Sequence, residues 1–127
     1  VEVNKSNFII WNSEIEEPII VDKLGSQIDV LPTLLNLFGI EYDSRLIVGK
    51  DILSDTGCVA IFSNYSWVSD YGTYFANKKK FVLKDGKKLD NVDEYVKSMN
   101  NRVSNAYSIS KMILDTDYYT YVLGSEW

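Results

Sequence analysis

Six lysines, Lys78, Lys79, Lys80, Lys84, Lys87 and Lys88, crowd a short stretch of this 127-residue chain whose one carboxylate is Asp85. An ammonium is a compact, strongly hydrated point charge, so a row of them can hold successive anions without fork geometry. Lys79, Lys80 and Lys87 are therefore the candidate substrate-binding residues, for an anionic polymer or for lipid head groups. The competing reading is a solvated edge hairpin whose lysines block edge-to-edge pairing. Both readings stand on the sequence alone.

Other reactive side chains narrow the chemistry. The chain has no histidine. That removes Ser-His-Asp and Cys-His arrangements and most transition-metal sites. Cys58 is the one cysteine, so neither an intrachain disulfide nor a multi-cysteine zinc site can form. It sits in an apolar run with no neighbouring base and reads as an inert buried thiol. Glu14, Glu16 and Glu17 cluster without the spacing of a calcium loop and read as solvated. Asp29 opens a helix and is expected to act as its N-cap rather than as a metal ligand. No catalytic residue and no metal ligand is assigned in this chain. Tyr65, Trp67, Tyr71, Tyr74 and Phe75 could offer a sugar-stacking platform, but aromatics at strand spacing more often form cross-strand core pairs. The net charge of −5 argues against nucleic acid as the main partner.

These residues need elements to position them. Phe8–Trp11 is an apolar run expected to form a buried strand. Val30–Phe38 reads as a helix, capped by Asp29 so that Pro32 falls in the first turn, and closed by Gly39 at the left-handed position. Leu31, Leu34, Leu35 and Phe38 share one face, expected to pack on a core. Residues 40–53 read as a connector with a tight turn at Gly49-Lys50-Asp51. Short strands are expected at 58–62, 66–69, 73–75 and 80–83, and Asp85-Gly86 marks a hairpin returning through Lys87–Leu89. Asn91-Val92-Asp93-Glu94 resembles a capping box, starting a helix that runs to about Asp115. Asp117–Trp127 is a tyrosine-rich tail. No apolar run nears the ~20 residues of a membrane span. The chain opens Val1-Glu2-Val3-Asn4-Lys5 without an initiator methionine. It is therefore expected to be part of a longer polypeptide, with targeting elements upstream.

The stretch from Gly25 to Ile40, with Ser26, Ile28, Asp29, Pro32, Thr33, Leu34, Leu35, Leu37 and Gly39 in place, resembles a segment of the sulfatase/alkaline-phosphatase superfamily. The wording Gln27–Leu35, followed by Gly49-Lys50-Asp51-Ile52-Leu53, is most similar to the lipoteichoic acid synthase branch. Val59–Phe62, Ser66-Trp67-Val68 and Tyr71-Gly72-Thr73-Tyr74 extend the resemblance more weakly. Such a resemblance implies a parent enzyme with a threonine nucleophile, an Asp-His pair and a divalent metal, manganese above all. It would transfer glycerol phosphate through a phosphothreonine-type intermediate. All of those residues would lie upstream. Thr33 belongs to the helix motif and does not match the nucleophile.

The expected architecture is α/β: residues 1–53 form the C-terminal edge of a sulfatase-like domain, and residues 54–127 a small antiparallel sheet with a long C-terminal helix. The chain is expected to be the non-catalytic C-terminal portion of a metal-dependent phosphoglycerol transferase at the extracellular face of a bacterial membrane. No cofactor is expected in the chain itself. Its partners would be the missing N-terminal part of the parent, an anionic polymer or lipid head groups, and a second copy through exposed apolar surface. Two alternatives stay open, a stand-alone module binding anionic cell-surface polymer and a piece of a sulfatase-fold hydrolase.

Overall fold

The computed structural model describes residues 5–124. Its elements are α1 (Gln27–Leu37), a 3₁₀ turn at Ser44–Leu46, β1 (Ala60–Ile61), β2 (Trp67–Val68), β3 (Gly72–Phe75), a 3₁₀ turn at Ala76–Lys78, β4 (Lys80–Leu83), α2 (Val92–Asp115) and α3 (Tyr118–Leu123). The four strands form one antiparallel sheet in chain order. The mixed α/β architecture follows the sequence reading. Residues 125–127 of the tyrosine-rich tail lie outside the described part.

Register explains the core. Ile61 pairs Trp67, Trp67 pairs Tyr74, and Tyr74 pairs Phe81, so these four form one row across the sheet. Strand alternation sends that row to a single face. There it meets α2, where Tyr95, Met99, Val103 and Tyr107 recur every fourth residue and form one stripe. Trp67 is fully buried at the centre, stacked on Tyr74 and tilted against Phe81, each ring centroid 5.5 Å away. Three polar contacts fix the helix on the sheet. Trp67 Nε1 donates to Asn100 Oδ1 at 2.9 Å, Tyr95 Oη to Ser69 Oγ at 2.9 Å, and Tyr107 Oη to the Phe62 carbonyl at 2.9 Å. The aromatic set thus serves the core at Trp67 and Tyr74, and no sugar platform forms there. The Asn91 side chain caps α2 by accepting from the Glu94 amide. In the expected box Glu94 reaches back to a backbone amide, whereas here the Asn91 side-chain amide donates to the Glu94 carboxylate.

Four expectations are corrected. Phe8–Trp11 is not a strand: residues 5–26 form no regular element, and Trp11 is 83% exposed. A strand needs a neighbour for its backbone groups, and among the described residues this run has none. Second, α1 starts earlier than its proline suggested. Ser26, not Asp29, is the N-cap, and Pro32 sits inside the helix. The cause is a Ser-x-x-Asp box, in which Asp29 takes the N3 position and its carboxylate accepts from the Ser26 amide. Gly39 does close the helix at φ +64°, donating to Asn36, while Ile40 donates to Leu35 in a Schellman motif.

The third correction concerns which face of α1 is covered. The buried residues are Asp29, Pro32 and Thr33, while Leu31 is 54% and Phe38 69% exposed. The motif face is inside and much of the apolar stripe is open. Fourth, Asp85-Gly86 turns the chain, with Lys87 donating back to Lys84, but Lys87–Leu89 does not return as a strand. The segment leads directly into the cap of α2, and β4 remains an edge.

Candidate functional site

The residues that carry the family-like motif converge on one buried polar clasp. Asp29 is only 3% exposed, and its carboxylate accepts three hydrogen bonds. Oδ2 takes the Ser26 amide at 2.8 Å and the Ser26 hydroxyl at 2.9 Å, and Oδ1 takes the Lys50 amide at 2.9 Å. Thr33, one turn on, donates its hydroxyl to the Asp29 carbonyl at 2.6 Å and accepts from the Ile52 amide at 2.9 Å. Asn36, at the outer end of the same face, donates to Asp51 at 2.9 Å, and Asp51 in turn accepts from the Leu53 amide. Side chains spaced along one face of α1 thus fasten residues 50–53, which lie about twenty residues further along the chain.

Two backbone features make room for this clasp. Pro32 has no amide hydrogen, so it leaves the Ile28 carbonyl without its helical donor. Gly49 packs against that carbonyl, and a Cβ at position 49 would lie 1.8 Å from the Ile28 oxygen. Only glycine fits. Sequence reasoning placed Asp29, Pro32, Thr33 and the Gly49-Lys50-Asp51 turn individually, but did not join them. The available signal was the Ser-x-x-Asp spacing, whose weight was given to the proline instead. The clasp's polar atoms are occupied by one another, which is the condition of a structural rather than a reactive carboxylate.

The candidate binding lysines lie on the β3–β4 hairpin. Lys78 ends the 3₁₀ turn, Lys79 adopts left-handed φ/ψ of 47° and 39°, and Lys80 opens β4 opposite Phe75. Lys84 extends the ladder by donating to the Tyr71 carbonyl at 2.8 Å. Lys87 carries its ammonium 5.9 Å from the Tyr71 ring centroid, at the outer limit of a cation–π contact. All six lysines are exposed. The structure puts Lys79 and Lys80 side by side at one end of β4 and Lys87 beyond the other end. Among the described residues the ion pairs are Arg45–Asp43 and Lys111–Asp115, and neither involves the hairpin.

The remaining titratable groups of the described residues are scattered over the fold. Among the described residues no group of three or more histidine, cysteine or acidic side chains could hold a metal ion. Glu14, Glu16 and Glu17 are each exposed on the chain before α1. The donor set among the described residues therefore does not fit the divalent metal that the family resemblance implies. Cys58 is buried; burial, then the negative charges of Asp29 and Asp70, push its thiol above the ordinary range. A thiol so raised is a poor nucleophile at neutral pH. Hydrogen bonds from the Arg45 side chain and then its amide hold exposed Asp43 down to about 2. Close by, Tyr119 of α3 donates to the Leu46 carbonyl at 3.1 Å. No helix among the described residues is long and apolar enough to cross a membrane.

The described residues thus combine a small α/β unit, a satisfied polar clasp on α1 and a lysine-rich hairpin. The chain is related to the lipoteichoic acid synthase-like proteins. It is 29% identical to the lipoteichoic acid synthase-like protein YvgJ of Bacillus subtilis over 120 residues, covering 92% of this chain and 19% of that protein. It is 34% identical to lipoteichoic acid synthase 2 of the same organism over 98 residues, 76% of this chain and 15% of the relative. Lipoteichoic acid synthase 1 shares 34% over 94 residues, 73% of this chain and 14% of the relative. The chain thus spans less than a fifth of the length of each of these relatives. No family model and no solved structure matches it.

Proposed function

We propose that this chain is the non-catalytic C-terminal portion of a sulfatase-superfamily phosphoglycerol transferase. In its intact form that enzyme would be metal-dependent, membrane-anchored and active at the extracellular face, where it would build an anionic polymer of the lipoteichoic acid kind. The observation that carries this reading is the inverted burial of α1. Its polar motif is sealed against residues 50–52, while Leu31 and Phe38, with Ile9, Trp11, Ile19 and Ile20 before it, stand open. Exposed apolar surface of this extent is costly in water and marks a face that another surface covers.

In this reading residues 1–53 are the edge of the main domain and residues 54–127 a subdomain carried on it. The clasp holds α1 rigid, so its open stripe is presented as one surface. The metal would be held by residues outside this chain, since no donor set among the described residues fits it, and no chemical step runs through those residues. Kinship to the lipoteichoic acid synthases, over a small share of their length, supports the assignment to a part rather than a whole.

The test is the reading frame upstream of Val1, expressed as a separate polypeptide. It should encode membrane spans, a threonine nucleophile and an Asp-His pair, and its soluble part should co-purify with this chain. Leu31→Glu with Phe38→Glu should abolish the association. A frame opening at Val1, or an upstream part indifferent to those two substitutions, refutes the proposal.

A further inference from the structure

We propose that the β3–β4 hairpin is a binding site for a linear chain of phosphodiesters, separate from any catalytic centre. The identity of that polymer as the parent enzyme's own product class rests on the function proposed above. The site itself rests on the hairpin.

Three observations point to it. The first is charge segregation. Six lysines against one aspartate give residues 78–88 a local excess of five positive charges in a chain of net charge −5. Such a patch focuses field toward anions even on an acidic protein. The second is where the lysines sit. Guarding an edge strand calls for charges along the strand. Lys78 and Lys79 lie in the turn before β4, and Lys87 and Lys88 beyond its end, so these four block no ladder position. Lys80 shares the outer face with Val82, while Phe81 between them packs toward α2. The two lysine groups are therefore separated by the length of β4, roughly 13 Å at strand rise. That separation is too wide for a single phosphate and suits phosphodiesters more than one repeat apart on an extended polymer.

The third observation is Lys79 itself. It occupies the left-handed region at φ +47°, a conformation that glycine adopts freely and a lysine adopts under strain. A charged side chain thus stands where backbone conformation alone favours glycine. No arginine lies in the patch. Ammonium groups give point-charge contacts without bidentate registry, which suits a flexible chain gripped at several places and free to shift along them.

The experiment titrates this 127-residue chain with delipidated poly(glycerol phosphate) at low and physiological salt. In parallel it is mixed with phosphatidylglycerol vesicles. The variants are Lys79→Glu/Lys80→Glu/Lys87→Glu, the milder triple glutamine, and a charge-matched control, Lys5→Glu/Arg102→Glu/Lys111→Glu. Polymer binding should weaken with salt, and the hairpin reversal should cost about tenfold or more. The glutamine triple should lose several-fold, and the control should stay near wild type. Lys79→Gly separates a binding role from a structural one: its melting temperature should rise while polymer affinity falls. Circular dichroism checks that each variant retains its helix and sheet.

Polymer binding that is absent, or equally reduced in the control, overturns the proposal. So does unchanged affinity in Lys79→Gly, or binding to the vesicles alone. Co-purification with the upstream polypeptide should survive the hairpin triple, so a failure here is distinguishable from a failure of the proposed function.

Discussion

Asp29→Asn turns one buried carboxylate oxygen into an amide nitrogen and leaves the side-chain volume unchanged. Oδ2 receives two hydrogen bonds from Ser26 and Oδ1 one from the Lys50 amide. The asparagine oxygen should keep the two-bond side, which leaves its amide facing the Lys50 N–H, donor against donor. A hydrogen bond to a charged acceptor contributes about 1.5–3 kcal/mol, and a buried donor left alone costs about 1–3 kcal/mol. These overlap, so the expected loss is about 2–3 kcal/mol. Asp29→Ala also removes the Ser26 side of the cap, and should cost about 3–4 kcal/mol. Either is a large share of the roughly 5–15 kcal/mol of a typical domain. Urea denaturation measures the total, and amide exchange locates it. In Asp29→Asn the Lys50 and Ile52 amides should lose protection while the core of α2 keeps its own. Thr33→Val, which removes the hydroxyl that joins the Asp29 carbonyl to the Ile52 amide, should expose Ile52 more than Lys50. A change under about 0.5 kcal/mol with Lys50 exchange unaltered would refute the clasp.

The core, the thiol and the open face each give a further test. Trp67→Ala should cost about 3–5 kcal/mol and uncouple the sheet from α2, read as lost near-ultraviolet dichroism; a cooperative melt near the wild-type midpoint would contradict that placement of the core. Burial raises the Cys58 thiol, so folding retains a proton that the unfolded chain gives up near pH 9.0. Stability should therefore be intact below that pH and fall as pH rises through the folded-state value. The slope above pH 9.0 should be shallower in Cys58→Ala than in the wild type, and identical slopes would count against a raised thiol. The chain by itself should self-associate through the uncovered α1 stripe, and Leu31→Glu/Phe38→Glu should shift light scattering toward monomer; a wild-type monomer at high concentration would argue that the stripe is not adhesive.

Much of the sheet and of α2 was legible because their signals are local. Alternation placed the four strands near their observed positions, and the Asn91 box and the four-residue stripe placed α2. The failures share a cause in tertiary context. Phe8–Trp11 has strand composition, but composition supplies no neighbouring strand. The proline rule moved the start of α1 to Asp29, whereas Ser26 and the buried carboxylate outweigh the cost of Pro32 inside the helix. The apolar stripe was expected to face a core, yet the face fastened down is the one bearing Asp29 and Thr33. Joining those residues to Lys50 and Ile52 takes contacts across nineteen and twenty-one positions, which no periodicity reports. The hairpin lysines could be enumerated from the sequence, and a strand at 80–83 already left Lys78 and Lys79 off it; that Lys87 and Lys88 also lie off the ladder could not be read.

Pro32 and Gly49 also impose a joint constraint on how related chains can vary. The proline leaves the Ile28 carbonyl uncommitted, and only a residue without a Cβ can lie against it. A chain that gained a side chain at position 49 would have to move its turn off the helix, and Asp29 and Thr33 would then lose the partners that justify burying them. Drift at any one of these four positions thus penalises the other three, so they are expected to be inherited as a block or abandoned as a block. A glycine at the place of Gly49 in a divergent relative would then mark an intact latch even where the helix wording has faded.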